Sequence, residues 1–134
     1  MIVKLKDVVN AVQSLNELNS QKTKNIKLVF KLGQNIKVLQ DVVEGYNKAK
    51  KKIVDQYPIL VEKLDDLEGD EKVKKMKERR EVETKVNKEL QEFLENEEED
   101  VSFKMITLDE LESIEVSGND MHHLMNLGIL EDSI

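Results

Sequence analysis

The 134-residue sequence has no cysteine, no tryptophan and one proline. Without thiols there is no disulfide framework, no thiolate metal site and no cysteine nucleophile. No apolar run approaches the ~18 residues of a membrane span. The opening Met1-Ile2-Val3-Lys4-Leu5-Lys6 interrupts its apolar stretch with lysines and does not read as a signal peptide. A cytoplasmic protein is the expectation. At roughly 100–200 residues per domain, the length suits a single domain over 1–134.

What is abundant is charge: 37% of residues are Asp, Glu, Lys or Arg, with a net charge of −7. The charge is divided unevenly, +6 over residues 1–60 and −13 over 61–134. Glu95-Asn96-Glu97-Glu98-Glu99-Asp100 packs five carboxylates into six residues, and no basic residue occurs from Glu89 to Phe103. Overall acidity disfavours nucleic acid as the main ligand, because duplex binding needs a basic footprint. The opposed halves are expected to meet within the chain or against a second copy.

Ile2–Leu5 has the makings of a short strand, and Val8, Val9, Val12, Leu15 and Leu18 predict an amphipathic helix over 7–19. The clearest periodicity follows. Val29, Leu32, Ile36, Leu39, Val43, Tyr46, Ile53 and Tyr57 fall on steps of three and four interrupted at Lys50, an a/d heptad pattern. A helix over about 25–57 is predicted, stopped by Pro58. Gly33 and Gly45 inside it each cost roughly 1 kcal/mol relative to alanine. Residues 58–70 are ambiguous. A second long helix is predicted over about 72–97, with apolar positions Val73, Met76, Val82, Val86, Leu90, Phe93 and Leu94. Val101 to Met105 alternates like a strand and is expected to pair with the N-terminal strand. Thr107 and Glu110 have capping-box spacing ahead of a short helix at about 108–113. Ser117 caps another that ends at Gly128.

The fold expected is therefore mainly α. A long antiparallel helical hairpin (25–97) would carry a small α/β cap built from residues 1–20 and 101–134. Heptad seams are usually matched by another helix, so a homo-oligomer, most simply a dimer, is expected. Its contact residues would be Val29, Leu32, Ile36, Leu39, Val43, Tyr46 and Ile53.

Motifs for catalysis are scarce. His122 and His123 are neighbours on a short helix and point about 100° apart, whereas helical metal sites use i, i+3 or i, i+4 spacing. Asp120 and His123 have that spacing, but a local cap is the simpler use. No nucleophile elbow or phosphate-binding glycine loop is present. Glu97–Asp100 lack the alternating oxygens and glycine of an EF-hand loop. No catalytic, cofactor or metal residue is assigned. Lys22, Lys24, Lys27, Lys31 and Lys37 crowd the start of the long helix against its dipole, and Lys48 to Lys52 is a basic cluster near its end. The acidic run at a helix C-terminus also opposes the dipole. A contact surface of Glu92, Glu95, Glu97, Glu98, Glu99 and Asp100 for a basic partner is a second candidate site, beside a solvated helix end.

Three stretches, Leu5 to Val12, Lys27 to Lys37 and Tyr46 to Ile53, carry a resemblance to small helical proteins of unknown function from phages and prophages of Firmicutes. The acidic helix and the closing Met121 to Leu130 element extend it over most of the chain. The resemblance implies a mobile-element origin and a bacterial host cytoplasm, and it lends no catalytic residues. Two functions are expected from the whole: a non-enzymatic, self-associating interaction module, or an inhibitor of a host enzyme or anti-phage defence complex that presents a nucleic-acid-mimicking acidic strip.

Overall fold

The computed structural model describes residues 1–131; positions 132–134 of the expected cap lie outside the described residues. The chain is mainly α. Its elements are β1 (Ile2–Lys4), α1 (Leu5–Asn19), α2 (Ile26–Asp55), a 3-10 turn (Pro58–Leu60), α3 (Gly69–Asn96), β2 (Glu98–Asp100), α4 (Leu108–Leu111) and α5 (Gly118–Leu127). Among the described residues, no helix is long and apolar enough to cross a membrane. Two compact units divide the chain. One comprises Met1–Glu44 and the chain from Asn96 onward; the other is Gly45–Glu95.

The first unit is built on the 3.6-residue period of α1. Val8, Ala11, Leu15 and Leu18 are buried on one face and join Leu28, Leu32, Ile36 and Leu39 of α2, Leu124 and Leu127 of α5, and Ile106, Leu111 and Ile129 in one cluster. A fully buried leucine contributes roughly 1.5–3 kcal/mol. The caps follow the sequence. Thr107 Oγ1 accepts from the Glu110 N–H at 3.2 Å, while Glu110 Oε1 accepts from the Thr107 N–H at 3.0 Å. Ser117 Oγ accepts from the Asp120 N–H at 3.0 Å. Gly128 takes φ +67°, a left-handed conformation costly for any residue with a Cβ, and its N–H bonds the Met125 carbonyl at 3.0 Å.

The strand pairing departs from the expectation. β1 pairs antiparallel with β2, in the acidic run, in the register Ile2↔Asp100, Val3↔Glu99, Lys4↔Glu98. Of the expected partner segment 101–106, only Val101 reaches the N-terminus, its N–H donating to the Met1 carbonyl at 2.9 Å. The register sets Lys4 opposite Glu98, a favourable cross-strand combination that the expected pairing lacks. The acidic run is thus divided: Glu95 and Asn96 are the exposed end of α3, and Glu98–Asp100 form a strand. Val101, Phe103 and Met105 are half-buried, while Ser102 and Lys104 are exposed, so the alternation holds. Its hydrogen bonds do not form a ladder with β1. The Asn35 side chain takes the backbone of Lys104 instead, and Ile106 bridges to Leu130 in a single parallel contact.

In the second unit the end of α2 and α3 run antiparallel. Tyr46 stacks on Phe93 with ring centres 6.3 Å apart, and eleven positions further along, the Tyr57 ring lies 5.9 Å from Lys85 Nζ, eight positions earlier in α3. Val86 and Leu90 are buried and Val82 and Leu94 half-buried. Val73 and Met76, expected in the apolar series, face outward; Lys72, Lys75 and Arg79 continue the inward stripe. Arg79 explains this: its guanidinium donates to the carbonyls of Ile59 and Glu62 and secures the connection after Pro58. Gly33 and Gly45 lie in helical backbone with open space where a Cβ would stand. Gly33→Ala and Gly45→Ala should each raise stability by about 0.5–1 kcal/mol, measured by urea unfolding.

Candidate functional site

The expected self-association seam is divided. Leu32, Ile36 and Leu39 lie in the first unit's own core, covered by that core cluster. Val43 is half-buried against it. Tyr46 and Ile53 are half-buried in the second unit, where Tyr46 stacks on Phe93. Of the seven residues, only Val29 is exposed. The heptad pattern therefore encodes burial within the chain, and Leu32, Ile36 and Leu39 offer no surface to a second copy. Sequence periodicity does not distinguish a helix covered by another chain from one covered by its own neighbours.

On the opposite side of α2 the first turns carry a different apolar face. Ile26 is 82% exposed, Phe30 58% and Val29 46%. Residues four apart stand above one another on a helix, so Ile26 and Phe30 line up with Val29 beside them. Lys27 and Lys37 are exposed on the same helix. The heptad reading had placed only Val29 of these three on a contact surface.

The acidic candidates belong to two elements. Glu92 and Glu95 are on α3, where Gln91 donates to Glu95 at 3.1 Å. The Glu97 carbonyl accepts from the Leu5 N–H at 2.9 Å, and Glu98–Asp100 form β2. Glu98 and Asp100 are exposed, Glu97 and Glu99 half-buried. The terminal amine of Met1 lies 3.1 Å from Asp100 Oδ1. Local cations therefore offset part of the strip.

The two histidines make separate contacts. His123 Nδ1 and Ser14 Oγ share a hydrogen bond of 2.6 Å that ties α5 to α1, and His122 Nε2 is 3.2 Å from Asn126 Nδ2. Ser14 is buried mid-helix, and among the described residues no carboxylate bonds the far side of the His123 ring. The Ser14–His123 contact is a part-buried polar tie between α1 and α5, and the His122 contact lies at the surface. Among the described residues, no group of three or more His, Asp or Glu side chains is arranged to hold a metal.

Two buried polar contacts anchor α2. The Asn35 side chain holds the Lys104 backbone and has no mark in the sequence. The other joins Lys31 Nζ to Glu110 Oε1 at 2.7 Å, an instance of the expected meeting of the basic and acidic halves. Burial pushes the Glu110 carboxyl up, but the Lys31 hydrogen bond and the two Thr107 hydrogen bonds outweigh it and hold the carboxyl below its ordinary range. A carboxyl depressed in the folded state stabilises the fold above its unfolded pKa, about 4.3, and the stabilisation is lost as pH falls through the lower folded value. Glu110→Gln should therefore flatten the acid side of the stability–pH curve, measured by thermal unfolding between neutral and acid pH.

Comparison with protein-family models, curated proteins and solved structures finds no match to this chain.

Proposed function

We propose that the chain is a non-enzymatic helical protein-interaction module that associates with itself. The observation that carries this reading is the exposure of Ile26, Val29 and Phe30 within five residues on the solvent side of α2. Single exposed apolar residues are ordinary, but a contiguous apolar face rimmed by charge marks an interaction surface. A mobile-element origin and a place in the host cytoplasm belong to the same reading and rest on the sequence resemblance. The alternative, an inhibitor of a host enzyme or defence complex acting through the acidic strip, draws on the exposure of Glu98 and Asp100. It has less support, because Lys4 and the terminal amine stand against those two carboxylates.

Sedimentation velocity tests the reading. The wild-type mass should rise above the 15.5 kDa monomer with concentration. The double variant Ile26→Asp, Phe30→Asp should stay at monomer mass with unchanged helicity. A wild-type chain that remains monomeric at every concentration overturns the proposal.

A further inference from the structure

The exposed face at the start of α2 continues along the helix as a second stripe. Ile26, Phe30, Gly33, Lys37 and Gln40 follow one another by four, three, four and three residues, and all five are exposed. That is heptad spacing, on the side away from the buried Leu28, Leu32, Leu39 and Asn35. Lys27, Gln34 and Asp41 lie seven residues apart, each one position after a residue of this stripe. Such flanking positions set partner and direction in paired helices through their charges. Lys27 and Asp41 are exposed and make no ion pair among the described residues.

The flank has a direction: basic at Lys27, neutral at Gln34, acidic at Asp41. Positions 27 and 41 are equally far from 34. A second copy laid antiparallel about Gln34 therefore sets Lys27 of each chain beside Asp41 of the other. A parallel copy sets lysine against lysine and aspartate against aspartate. The stripe favours the same alignment. Phe30 of each copy comes level with Lys37 of the other, an ammonium against an aromatic ring. Gly33 falls beside the crossing point, with nothing within 4 Å of where its Cβ would stand. A missing side chain at that point lets two helix axes approach closely. Within the chain Gly33 only weakens the helix, since no neighbour uses the space. Antiparallel helices also oppose their dipoles.

We propose that self-association is a two-fold, antiparallel pairing of α2 with α2 of a second copy, centred near Gln34, with Ile26 and Phe30 in the seam and Lys27 facing Asp41 across it. This inference rests on the self-association reading above and adds its geometry. The apolar residues supply affinity, and the charges supply direction. Lys37 in the seam costs stability and fixes register, as a single polar seam residue does in paired helices. Every residue named belongs to the first unit. The contact uses the same patch on both copies, so it is self-complementary and closes at a dimer.

The chain has no cysteine, so single introduced cysteines report this geometry directly. Lys27→Cys and Asp41→Cys are made in separate chains; both positions are exposed, and circular dichroism verifies that each variant folds. With a short bismaleimide, each variant alone should stay unlinked, and an equal mixture should give a covalent pair of twice the monomer mass. Gln34→Cys alone should give the same pair. A second readout is charge exchange. Lys27→Asp should weaken the dimer about tenfold in sedimentation velocity, because two exposed ion pairs become repulsions. Lys27→Asp, Asp41→Lys should recover it; a double variant no tighter than the single one overturns the proposal. Cross-linking of Lys27→Cys to itself makes the pairing parallel, and a rise in wild-type mass with no cross-link in any mixture places the contact elsewhere. Either overturns the geometry while self-association stands. A wild-type monomer overturns both. Flotation of wild type with phosphatidylglycerol vesicles, without a rise in mass, assigns the stripe to a lipid surface and likewise overturns the proposal.

Discussion

Replacing Asn35 with alanine should destabilise the protein by about 3 kcal/mol, seen as a large fall in the urea midpoint. Asn35 is fully buried on the inner face of α2. Its Oδ1 accepts from the Lys104 N–H at 2.7 Å, and its Nδ2 donates to the Lys104 carbonyl at 2.9 Å. One side-chain amide thus does for the 101–105 segment what a neighbouring strand would do. Truncation strands a donor and an acceptor, each costing roughly 1–3 kcal/mol when left unmade, and adds a small cavity. Lys104 itself is exposed, so water recovers part of the loss, which places the sum near the middle of the range. Asn35→Leu should be nearly as damaging, because filling the volume does not restore either bond. Asn35→Asp keeps the acceptor and loses the donor at neutral pH. Burial would raise that carboxyl's pKa in the folded chain, so the variant should weaken as pH rises through the carboxylate range. An Asn35→Ala midpoint indistinguishable from wild type would show that 101–105 is held without this amide.

Asn35 also shows where sequence reasoning stops. The helices were legible because burial repeats every 3.6 residues along α1 and α2, and because Pro58, Thr107, Ser117 and Gly128 act through local backbone chemistry that a few residues encode. The inward alternation of Val101, Phe103 and Met105 was legible for the same reason. The partner of that segment was not, since alternation specifies which side chains face inward and nothing about which group completes the backbone hydrogen bonds. A polar residue within an apolar stripe carries no mark of whether it is buried and bonded or turned outward. The β1 partner was misplaced for a related reason. Glu98-Glu99-Asp100 lacks β-branched and aromatic residues, so propensity argues against a strand there. Tertiary pairing with Ile2–Lys4 overrides it. The candidate sites divide along the same line. Periodicity located the apolar face of α2 that the chain itself covers. Phe30 reads in the sequence as widening that stripe, yet it is exposed, and Ile26 lies outside the period, so the face they form became visible only once the covered face was known.

The seam yields the second large effect. Leu39→Ala should cost about 3 kcal/mol, within the 2–5 kcal/mol typical of buried leucine truncations, whereas Val29→Ala should change stability by no more than about 0.5 kcal/mol. Both residues belong to one heptad series, so the sequence treats them alike. Leu39 is fully buried among side chains of the first unit's core, and removing its isobutyl group leaves a void those neighbours fill only in part. Val29 is 46% exposed, and its truncation loses little contact. The two variants also separate stability from assembly. Leu39→Ala should lower the unfolding midpoint equally at low and high protein concentration, because its contacts are made within the chain. Val29→Ala should leave the midpoint of the monomer unchanged and shift only the concentration at which mass rises. Equal losses of stability from both substitutions would mean that the whole heptad face is covered, and the exposed face of α2 would no longer be open to a partner. A Leu39→Ala loss that grows with protein concentration would return this residue to an interface between copies.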